Sequence, residues 1–386
     1  MRLREKGSPP SSTDLSKAFD TVSHDLLLSK LEAMGFHKSC TNWLRTYLDS
    51  RSQVTKLGNT SSTVEKVVSG VPQGSILGPI LFIAFTADFA SSLPNCKVVA
   101  YADDAAILTS ANSLCALKTK IEESIAQAQK WYNSNGLLIN ADKSEVMVMG
   151  KNHQIEVAVK SKTEETTIKS VSQLKVLGVY LDSKLNWIPH IRRIKSRASN
   201  PIRMIARSRS VLPLTTRKLL VDALVIPHYN YCDVLYDGCS TEGKHIIQRS
   251  QNYAAKSLLG MRRQDSATAA REKLGWIDLE ARRKVHLGVF LHKAAKGNSS
   301  EHAKHMFEQR LANHRHNTRS RKAGKLNSIT HSTALFERSV SFRGVQAWNT
   351  IPETIKGNHK TKSFKTALQN FYLDKSLHSH HRSGTR

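Results

Sequence analysis

The sequence predicts an α+β protein in which an antiparallel sheet packs on helices and a helical second half follows. Short apolar and β-branched runs between residues 98 and 182, bounded by turn residues, are typical of strands. Apolar residues at helical spacing from Leu114 to Trp131 predict a long amphipathic helix that ends near Asn135. Beyond Asn186 the composition becomes basic and helical, which indicates a change of domain.

The segment before residue 98 is predicted to contain helices and one hairpin. Residues 23–35 have a helical pattern closed by a glycine, and a second helix is predicted to start at Ser39 as its N-cap. Residues 53–68 alternate around an Asn-containing turn, which predicts a hairpin, and 74–90 predict an apolar helix. The stripe on the second helix, predicted to lie in the core, comprises Trp43, Leu44, Tyr47 and Leu48.

The second half of the chain combines apolar helix faces with dense positive charge. Residues 137–148 are predicted as loop and strand, and 174–182 as a hairpin. The basic, Asn- and His-rich residues 312–326 are predicted as a linker or exposed arm, and 342–349 (FRGVQAWN) as a small packing motif. From residue 186, isoleucines at helical spacing predict a buried face opposite a row of cations: Arg192, Arg193, Lys195, Arg197, Arg203, Arg207 and Arg209.

Composition favours a polyanionic partner. The chain has 58 Lys and Arg against 31 Asp and Glu, a formal net charge of +27 and a pI near 10.0, which points to nucleic acid. Five scattered cysteines without a CxxC pair argue against a disulfide framework and a zinc knuckle. No run of about 18 apolar residues predicts a membrane span, and the first residues lack the apolar core of a signal peptide.

Two adjacent acids, Asp103 and Asp104, lie in an otherwise apolar run. The flanking residues predict a hairpin whose turn carries both carboxylates. Like charges in an apolar setting need a compensating cation, and a divalent metal with oxygen ligands would supply it. The alternative is a solvated turn, where Asp-Asp is common.

Three motifs in order resemble the palm of a reverse transcriptase, and most closely that of jockey-like non-LTR (LINE-type) retrotransposons. They are residues 14–20 (DLSKAFD), 69–79 (SGVPQGSILGP) and 101–104 (YADD). The resemblance implies a right-hand polymerase palm, a helical thumb and a C-terminal helical module. It implies RNA-directed DNA synthesis, in which a nucleotide is transferred to a primer 3′-hydroxyl.

The resemblance also implies a two-metal site. Asp14 and Asp103 would hold two Mg²⁺ ions, for which Mn²⁺ can substitute, Asp104 would add the third charge and the Leu15 carbonyl a further ligand. Lys143 would donate a proton to the pyrophosphate leaving group. Asp20 resembles a family feature to which no metal role is given.

Substrate-binding positions follow from the same motifs. Phe19 is expected beneath the nucleotide sugar, where a ring would exclude a ribose 2′-hydroxyl; the alternative is a core phenylalanine. Gln73 and Gly74 are expected to meet the nucleotide and the templating base. Tyr101 and Ala102 are expected near the primer terminus.

The N-terminal segment departs from the family pattern. Residues 1–13 contain Pro9 and Pro10, which cannot donate to a sheet ladder, so no central strand is predicted there and the segment is interpreted as unrelated sequence or disorder. The fingers and the endonuclease are expected to be missing, as in a 5′-truncated element, and marginal stability is expected for the chain. The predicted domains are the palm at 14–185, the thumb at 186–300, and the basic linker with the C-terminal module at 301–386.

Competing interpretations remain at this point. The chain is either a polymerase fragment or a non-catalytic nucleic-acid-binding remnant, and a group II intron maturase or telomerase is the alternative parent. The expected partners are an RNA template (the element RNA), a DNA primer and dNTPs, with no membrane. The family implies the nucleus, and residues 319–325 are a weak nuclear-address signal.

Overall fold

A computed structural model describes residues 10–15, 18–137, 139–149, 155–160, 165–301, 303–304, 325–327, 333–357 and 360–381. The chain divides into two compact units, Met1–Val176 and Leu177–Arg386, called here the first and second units. Helices and small antiparallel sheets alternate in the first unit, and helices dominate the second. The α+β class predicted from the sequence is thereby confirmed.

A four-stranded antiparallel sheet forms the centre of the first unit. Its strands are β1 (Pro10–Leu15), β6 (Lys97–Tyr101), β7 (Asp104–Leu108) and β8 (Ile139–Val146), in the order β6-β7-β1-β8. The prediction that the prolines exclude a central strand is wrong, because β1 lies inside this sheet. Pro10 is the first residue of β1, a position where a missing N–H donor is tolerated.

The helices of the first unit are α1 (His24–Ala33), α2 (Lys38–Asp49), α3 (Leu77–Phe85) and α4 (Leu114–Ser134). The predicted start of α2 is wrong: His37 is the N-cap, because its ring Nδ1 accepts from the Ser39 N–H at 3.3 Å. The core prediction for α2 holds for Leu44 and Leu48 but not for Trp43, which is 58% exposed. The Trp43 ring stacks on Tyr47 instead.

The predicted hairpin between α2 and α3 is confirmed as two short ladders. Strands β3 (Lys56–Leu57) and β4 (Thr60–Ser61) pair around the turn, and β2 (Ser52–Gln53) pairs with β5 (Glu65–Lys66). The turn places Gly58 at a φ of 61°, which a glycine adopts without steric cost.

Apolar side chains join these helices to one face of the sheet. Leu27, Leu48, Phe82 and Phe85 are fully or almost fully buried and pack with Ile107 of β7. A second cluster packs α4 on strands β9 (Glu156–Lys160) and β10 (Glu165–Lys169). The predicted stripe of α4 is therefore core from Leu117 to Trp131, whereas Leu114 at the start of the helix is 38% exposed.

The second unit begins after β11 (Gln173–Val176), whose connection to β12 (Val179–Asp182) has positive φ at Leu177 and Gly178. The predicted basic helix is α5 (Ile188–Arg207), and its isoleucine face is buried as expected. The following helices are α6 (Leu214–Leu224), α7 (Ile226–Asn230), α8 (Thr241–Leu259), α9 (Ala267–Leu274) and α10 (Leu279–Ala295).

The C-terminal helices are α11 (Ala334–Glu337), α12 (Val340–Thr350), α13 (Glu353–Lys356) and α14 (Thr361–His381). The FRGVQAWN string lies in α12, where Gly344, Val345 and Trp348 are buried. Its Asn349 exchanges two hydrogen bonds with the main chain of Leu326, at 2.8 and 2.9 Å. The packing interpretation of this string is confirmed.

Most of the predicted linker at 312–326 lies outside the described residues, which include only Lys325 and Leu326 of it. Of the helices in the described ranges, none has both the length and the apolar character that crossing a bilayer requires.

Candidate active site

The strand register brings the first and third motifs to one end of the central sheet. Strand β1 pairs with β7 antiparallel, with Thr13 opposite Ala105. The paired register ends there, and the next residue of β1 is Asp14, while the residue that precedes Ala105 in β7 is Asp104. On its other side β1 pairs with β8, where Asp14 lies opposite Asn140 and Leu15 opposite Ile139.

The YADD hairpin places its two acids differently from the prediction. Tyr101 pairs with Asp104, so the turn consists of Ala102 and Asp103, and Asp104 is the first residue of β7 rather than part of the turn. Ala102 has a φ of 53°, an uncommon conformation for a residue with a Cβ and one that clusters at functional sites. Asp103 is half-buried, whereas Asp104 and Tyr101 are exposed.

The oxygen donors at this end of the sheet suit a hard divalent cation. Asp103 and Asp104 are adjacent in the chain, and β1 adds the backbone of Asp14 and Leu15 beside them. The side chains of Asp14 and Lys143 lie outside the described residues; Lys143 belongs to β8, next to β1. Among the described side chains, no group of three or more His, Cys, Asp and Glu could hold a metal.

The second motif docks directly on the first through main-chain hydrogen bonds. The Val71 N–H donates to the Phe19 carbonyl at 2.7 Å, and the Gly70 N–H donates to the Val22 carbonyl at 2.8 Å. At Gly70, with a φ of 91°, an added Cβ would lie 2.8 Å from the Asp20 backbone, so only glycine permits this contact. His24 Nε2 is hydrogen-bonded to the Gly70 carbonyl at 2.9 Å.

Asp20 orients Gln73, a relationship that the sequence did not predict. The Gln73 side-chain amide donates to Asp20 Oδ1 at 2.8 Å, and both residues are exposed. Asp20 lies before α1, which begins at His24. In the sequence, the one indication of this contact is that Asp20 and Gln73 belong to motifs assigned to the same site.

The other predicted substrate positions fall around this contact. Gly74 has a φ of 80°, and an added Cβ would meet nothing within 4 Å, so conformation rather than space requires glycine there. Phe19 is half-buried, and its ring stacks on Phe82 with centroids 4.4 Å apart. One face of the Phe19 ring is therefore used in packing.

The second unit presents its predicted cations to solvent. All seven basic residues predicted along α5 and the turn after it are exposed. Arg192 forms an ion pair with Glu242 at 3.3 Å, and the Arg193 guanidinium lies 4.4 Å from the centre of the Tyr180 ring. Arg203 donates to Asn200 within the helix. Much of this positive charge has no carboxylate opposite it in the described residues.

The chain is similar to known polymerases of mobile elements. Residues 2–181 match the family described as reverse transcriptase (RNA-dependent DNA polymerase). The chain is 28% identical over 257 residues to the probable RNA-directed DNA polymerase from transposon BS of Drosophila melanogaster, covering 64% of this chain and 28% of that protein. It is 29% identical to the RNA-directed DNA polymerase from mobile element jockey of the same species, covering 47% and 20%.

Two further similarities differ in coverage. A Pol polyprotein from the type-1 retrotransposable element R1 2 of Nasonia vitripennis is 28% identical, with 59% of this chain and 58% of that protein covered. The telomerase structure from Candida albicans, solved with a fragment of telomeric RNA, covers 79% of this chain and 51% of its own at 13% identity and a TM-score of 0.33, too low to carry an argument. The chain spans about a quarter of the length of the BS and jockey proteins.

Proposed function

Because residues 2–181 match the reverse transcriptase family and the chain is similar to polymerases of non-LTR retrotransposons, we propose that it carries the polymerising part of an RNA-directed DNA polymerase. The resemblance predicted from the three motifs is thereby confirmed. The observation that carries the proposal is the pairing of β1 with β7, which brings the end of β1 that carries Asp14 to the end of the sheet where β7 begins at Asp104, beside the turn that holds Asp103. In this proposal the first unit is the palm, α5 and the helices after it are the thumb, and α11 to α14 are the C-terminal module.

The proposed cofactor is a pair of Mg²⁺ ions. Asp14, Asp103 and Asp104 would hold them with the Leu15 carbonyl, a donor set of hard oxygens that fits this metal. Bound there, the ions would supply activation of the primer hydroxyl and charge neutralisation of the triphosphate.

The chain's own residues would position the nucleotide. Asp20 holds the Gln73 amide by a hydrogen bond, so Gln73 is preorganised to meet the nucleotide and templating base, and Gly74 gives the backbone its close approach. The unstacked side of Phe19 would lie beneath the sugar. Tyr101 and Ala102 would contact the primer terminus. Lys143, on the strand beside β1, would donate a proton to the leaving pyrophosphate.

The proposed partners are an RNA template, which is the element RNA, with a DNA primer and dNTPs. The exposed cations of α5 would follow the phosphate backbone of the primer-template, and this binding would weaken with salt. Target-primed synthesis at chromosomal DNA would place the protein in the nucleus.

Primer extension on an RNA template tests the proposal. The chain, its Asp103→Asn variant and the Asp25→Asn variant are compared with dNTPs and Mg²⁺; Asp25 is an exposed carboxylate on α1 that pairs with Arg45. Extension by the wild type and by Asp25→Asn, with at least about a hundredfold loss in Asp103→Asn, supports the proposal. Extension that survives in Asp103→Asn contradicts it.

The second candidate is a nucleic-acid binder without polymerase activity. The exposed basic face of α5 favours it, because charge attraction to phosphates does not depend on the three carboxylates. Tight, salt-sensitive binding of primer-template by both Asp103→Asn and the wild type, with no extension by either, is the result that this candidate predicts.

A further inference from the structure

A second basic surface surrounds a cavity on the second unit. The cavity has a volume of about 470 Å³, within the range of roughly 300–1,000 Å³ that is typical of ligand sites. Its wall is formed by one face of α8 and by the loop that leads to α9. The lining residues used below are Arg249, Tyr253, Lys256, Arg262 and Arg263.

Helix geometry places three of these residues in one row. Arg249, Tyr253 and Lys256 are spaced by four and three residues along α8, so their side chains project from the same face. Tyr253 is 50% exposed, so part of its ring is accessible to a ligand. The row therefore alternates cation, exposed aromatic ring and cation.

The loop after α8 is held in a defined conformation beside this row. Gly260 ends the helix with a φ of 66°, and the chain then turns back along the α8 face. Lys256 Nζ donates to the Arg263 carbonyl at 2.8 Å, and the Arg262 N–H donates to Asp265 Oδ2 at 2.6 Å. These contacts fix Arg262 and Arg263 at the rim before any ligand arrives.

The cations of this cavity are not neutralised within the described part of the chain. Arg249, Arg262 and Arg263 form no ion pair with a carboxylate there, unlike Arg192 on α5. The one carboxylate of the loop, Asp265, accepts from a backbone N–H. The site thus offers several free guanidinium groups around one exposed ring.

We propose that this cavity binds a segment of single-stranded nucleic acid, with an unpaired base stacked on Tyr253 and flanking phosphates on Arg249, Arg262 and Arg263. Guanidinium groups match phosphate geometry, and aromatic rings between cations are the platform on which successive bases stack. A duplex hides its base faces and gains nothing from Tyr253. An acidic peptide would use the guanidinium groups but would leave the exposed ring without a role.

Fluorescence anisotropy on the full chain tests this site with a labelled, unstructured oligonucleotide of about 12 nucleotides. Tyr253→Ala is expected to weaken binding at least about fivefold, and Tyr253→Phe is expected to bind like the wild type. Arg249→Gln and Arg262→Gln should each flatten the salt dependence by about 0.7 in the log–log slope. Lys293→Gln, which changes an exposed cation on α10 outside the cavity, is the control and should bind like the wild type.

RNA and DNA strands of one sequence, and the matching duplex, identify the ligand. Tighter RNA binding assigns the ligand as RNA and equal binding assigns a single strand of either kind; both support the site. The proposed site is overturned if Tyr253→Ala binds the single strand as tightly as the wild type does, or if this variant loses as much affinity for the duplex as for the single strand. The binding assay omits dNTPs and metal, so its result does not depend on polymerase activity. A chain without primer extension can still bind the single strand through Tyr253, and a chain that extends primers can still lack this site.

Crosslinking locates the bound base independently of affinity. An oligonucleotide carrying 5-iodouracil, irradiated on the full chain and digested, should yield a crosslinked peptide that contains Tyr253. Crosslinks only to α5 or to the first unit would overturn the assignment. Since Tyr253 is half exposed, the thermal melt of Tyr253→Ala should match that of the wild type, which excludes misfolding as the cause of weaker binding.

Discussion

Replacement of Arg343 tests the structural role of the FRGVQAWN string. The Arg343 Nε and Nη2 atoms both lie 3.2 Å from Asp237 Oδ2, and the Asp237 side chain is only 3% exposed. Arg283, equally buried, lies 3.6 Å from Oδ1, an ionic contact too long for a hydrogen bond. Among the described residues, Arg343 therefore supplies the hydrogen bonds of a buried carboxylate.

The expected cost of Arg343→Met follows from this burial. Removing one partner of a buried ion pair costs about 3–5 kcal/mol, and because Arg283 remains, we expect about 3 kcal/mol. For a unit of this size, each kcal/mol lowers Tm by roughly 2–4 °C, so the melt should shift down by roughly 6–12 °C. Arg192→Met is the matched control; its ion pair with Glu242 is 67% and 61% exposed and contributes at most about 1 kcal/mol.

Thermal unfolding followed by circular dichroism measures both variants. The double variant Arg343→Met with Asp237→Asn should lose less stability than the two single changes add up to, because each single change leaves a buried charge without its partner. A Tm for Arg343→Met within about 2 °C of that of Arg192→Met would refute the reasoning. It would mean that α12 is not held through this contact.

Three further predictions concern other contacts. Asp20→Ala should raise the KM for dNTP in primer extension by about fivefold, because the lost hydrogen bond to Gln73 contributes about 1 kcal/mol. Asp20→Asn keeps the acceptor oxygen and should change the KM less. Equal effects of the two variants would exclude an orienting role for Asp20. Burial lowers the pKa of His190 from 6.5 to about 4, so on acidification the unfolded chain takes up this proton first. The free energy of unfolding, which has its full value above pH 6.5, should therefore fall by up to about 3 kcal/mol towards pH 4. In urea melts, His190→Gln should remove this part of the pH dependence, and the same pH dependence in His190→Gln as in the wild type would contradict the assignment. Gly70→Ala should lower the free energy of unfolding by at least about 2 kcal/mol, because the added Cβ clashes with the Asp20 backbone and the positive φ strains the main chain. Gly74→Ala brings only the strain and should lower it by about 1–2 kcal/mol. A larger loss of stability in Gly74→Ala than in Gly70→Ala would contradict this explanation.

The helices could be predicted from the sequence because the periodic spacing of apolar residues that marks a helix lies within one segment. The stripe of α4 and the isoleucine face of α5 are periodicities of single segments, and both are buried in the structure, except for Leu114 at the start of the α4 stripe. Trp43 fits the periodicity of α2 but lies at the edge of its buried face, and periodicity alone does not reveal where a packed face ends.

Contacts between segments that are far apart in the chain could not be predicted from local sequence patterns. The central place of β1 depends on pairing with strands that lie about a hundred residues later, and no property of residues 10–15 reveals it. The hydrogen bond between Gln73 and Asp20 likewise joins two motifs that are separate in the chain. For Phe19 the sequence left two interpretations; the stack on Phe82 supports the packing one, and the role beneath the sugar stays a prediction.

Metal-directed cleavage of the chain tests whether the three carboxylates hold a metal. Fe²⁺ is loaded in place of Mg²⁺, and ascorbate with peroxide then generates hydroxyl radicals that cut the backbone next to the bound ion. Cuts are expected near residues 14–15 and 103–104; excess Mg²⁺ should suppress them, Asp103→Asn should abolish them and Asp25→Asn should leave them intact. Cuts confined to other parts of the chain, or cuts at these positions that persist in Asp103→Asn, would contradict a metal site built from the three carboxylates.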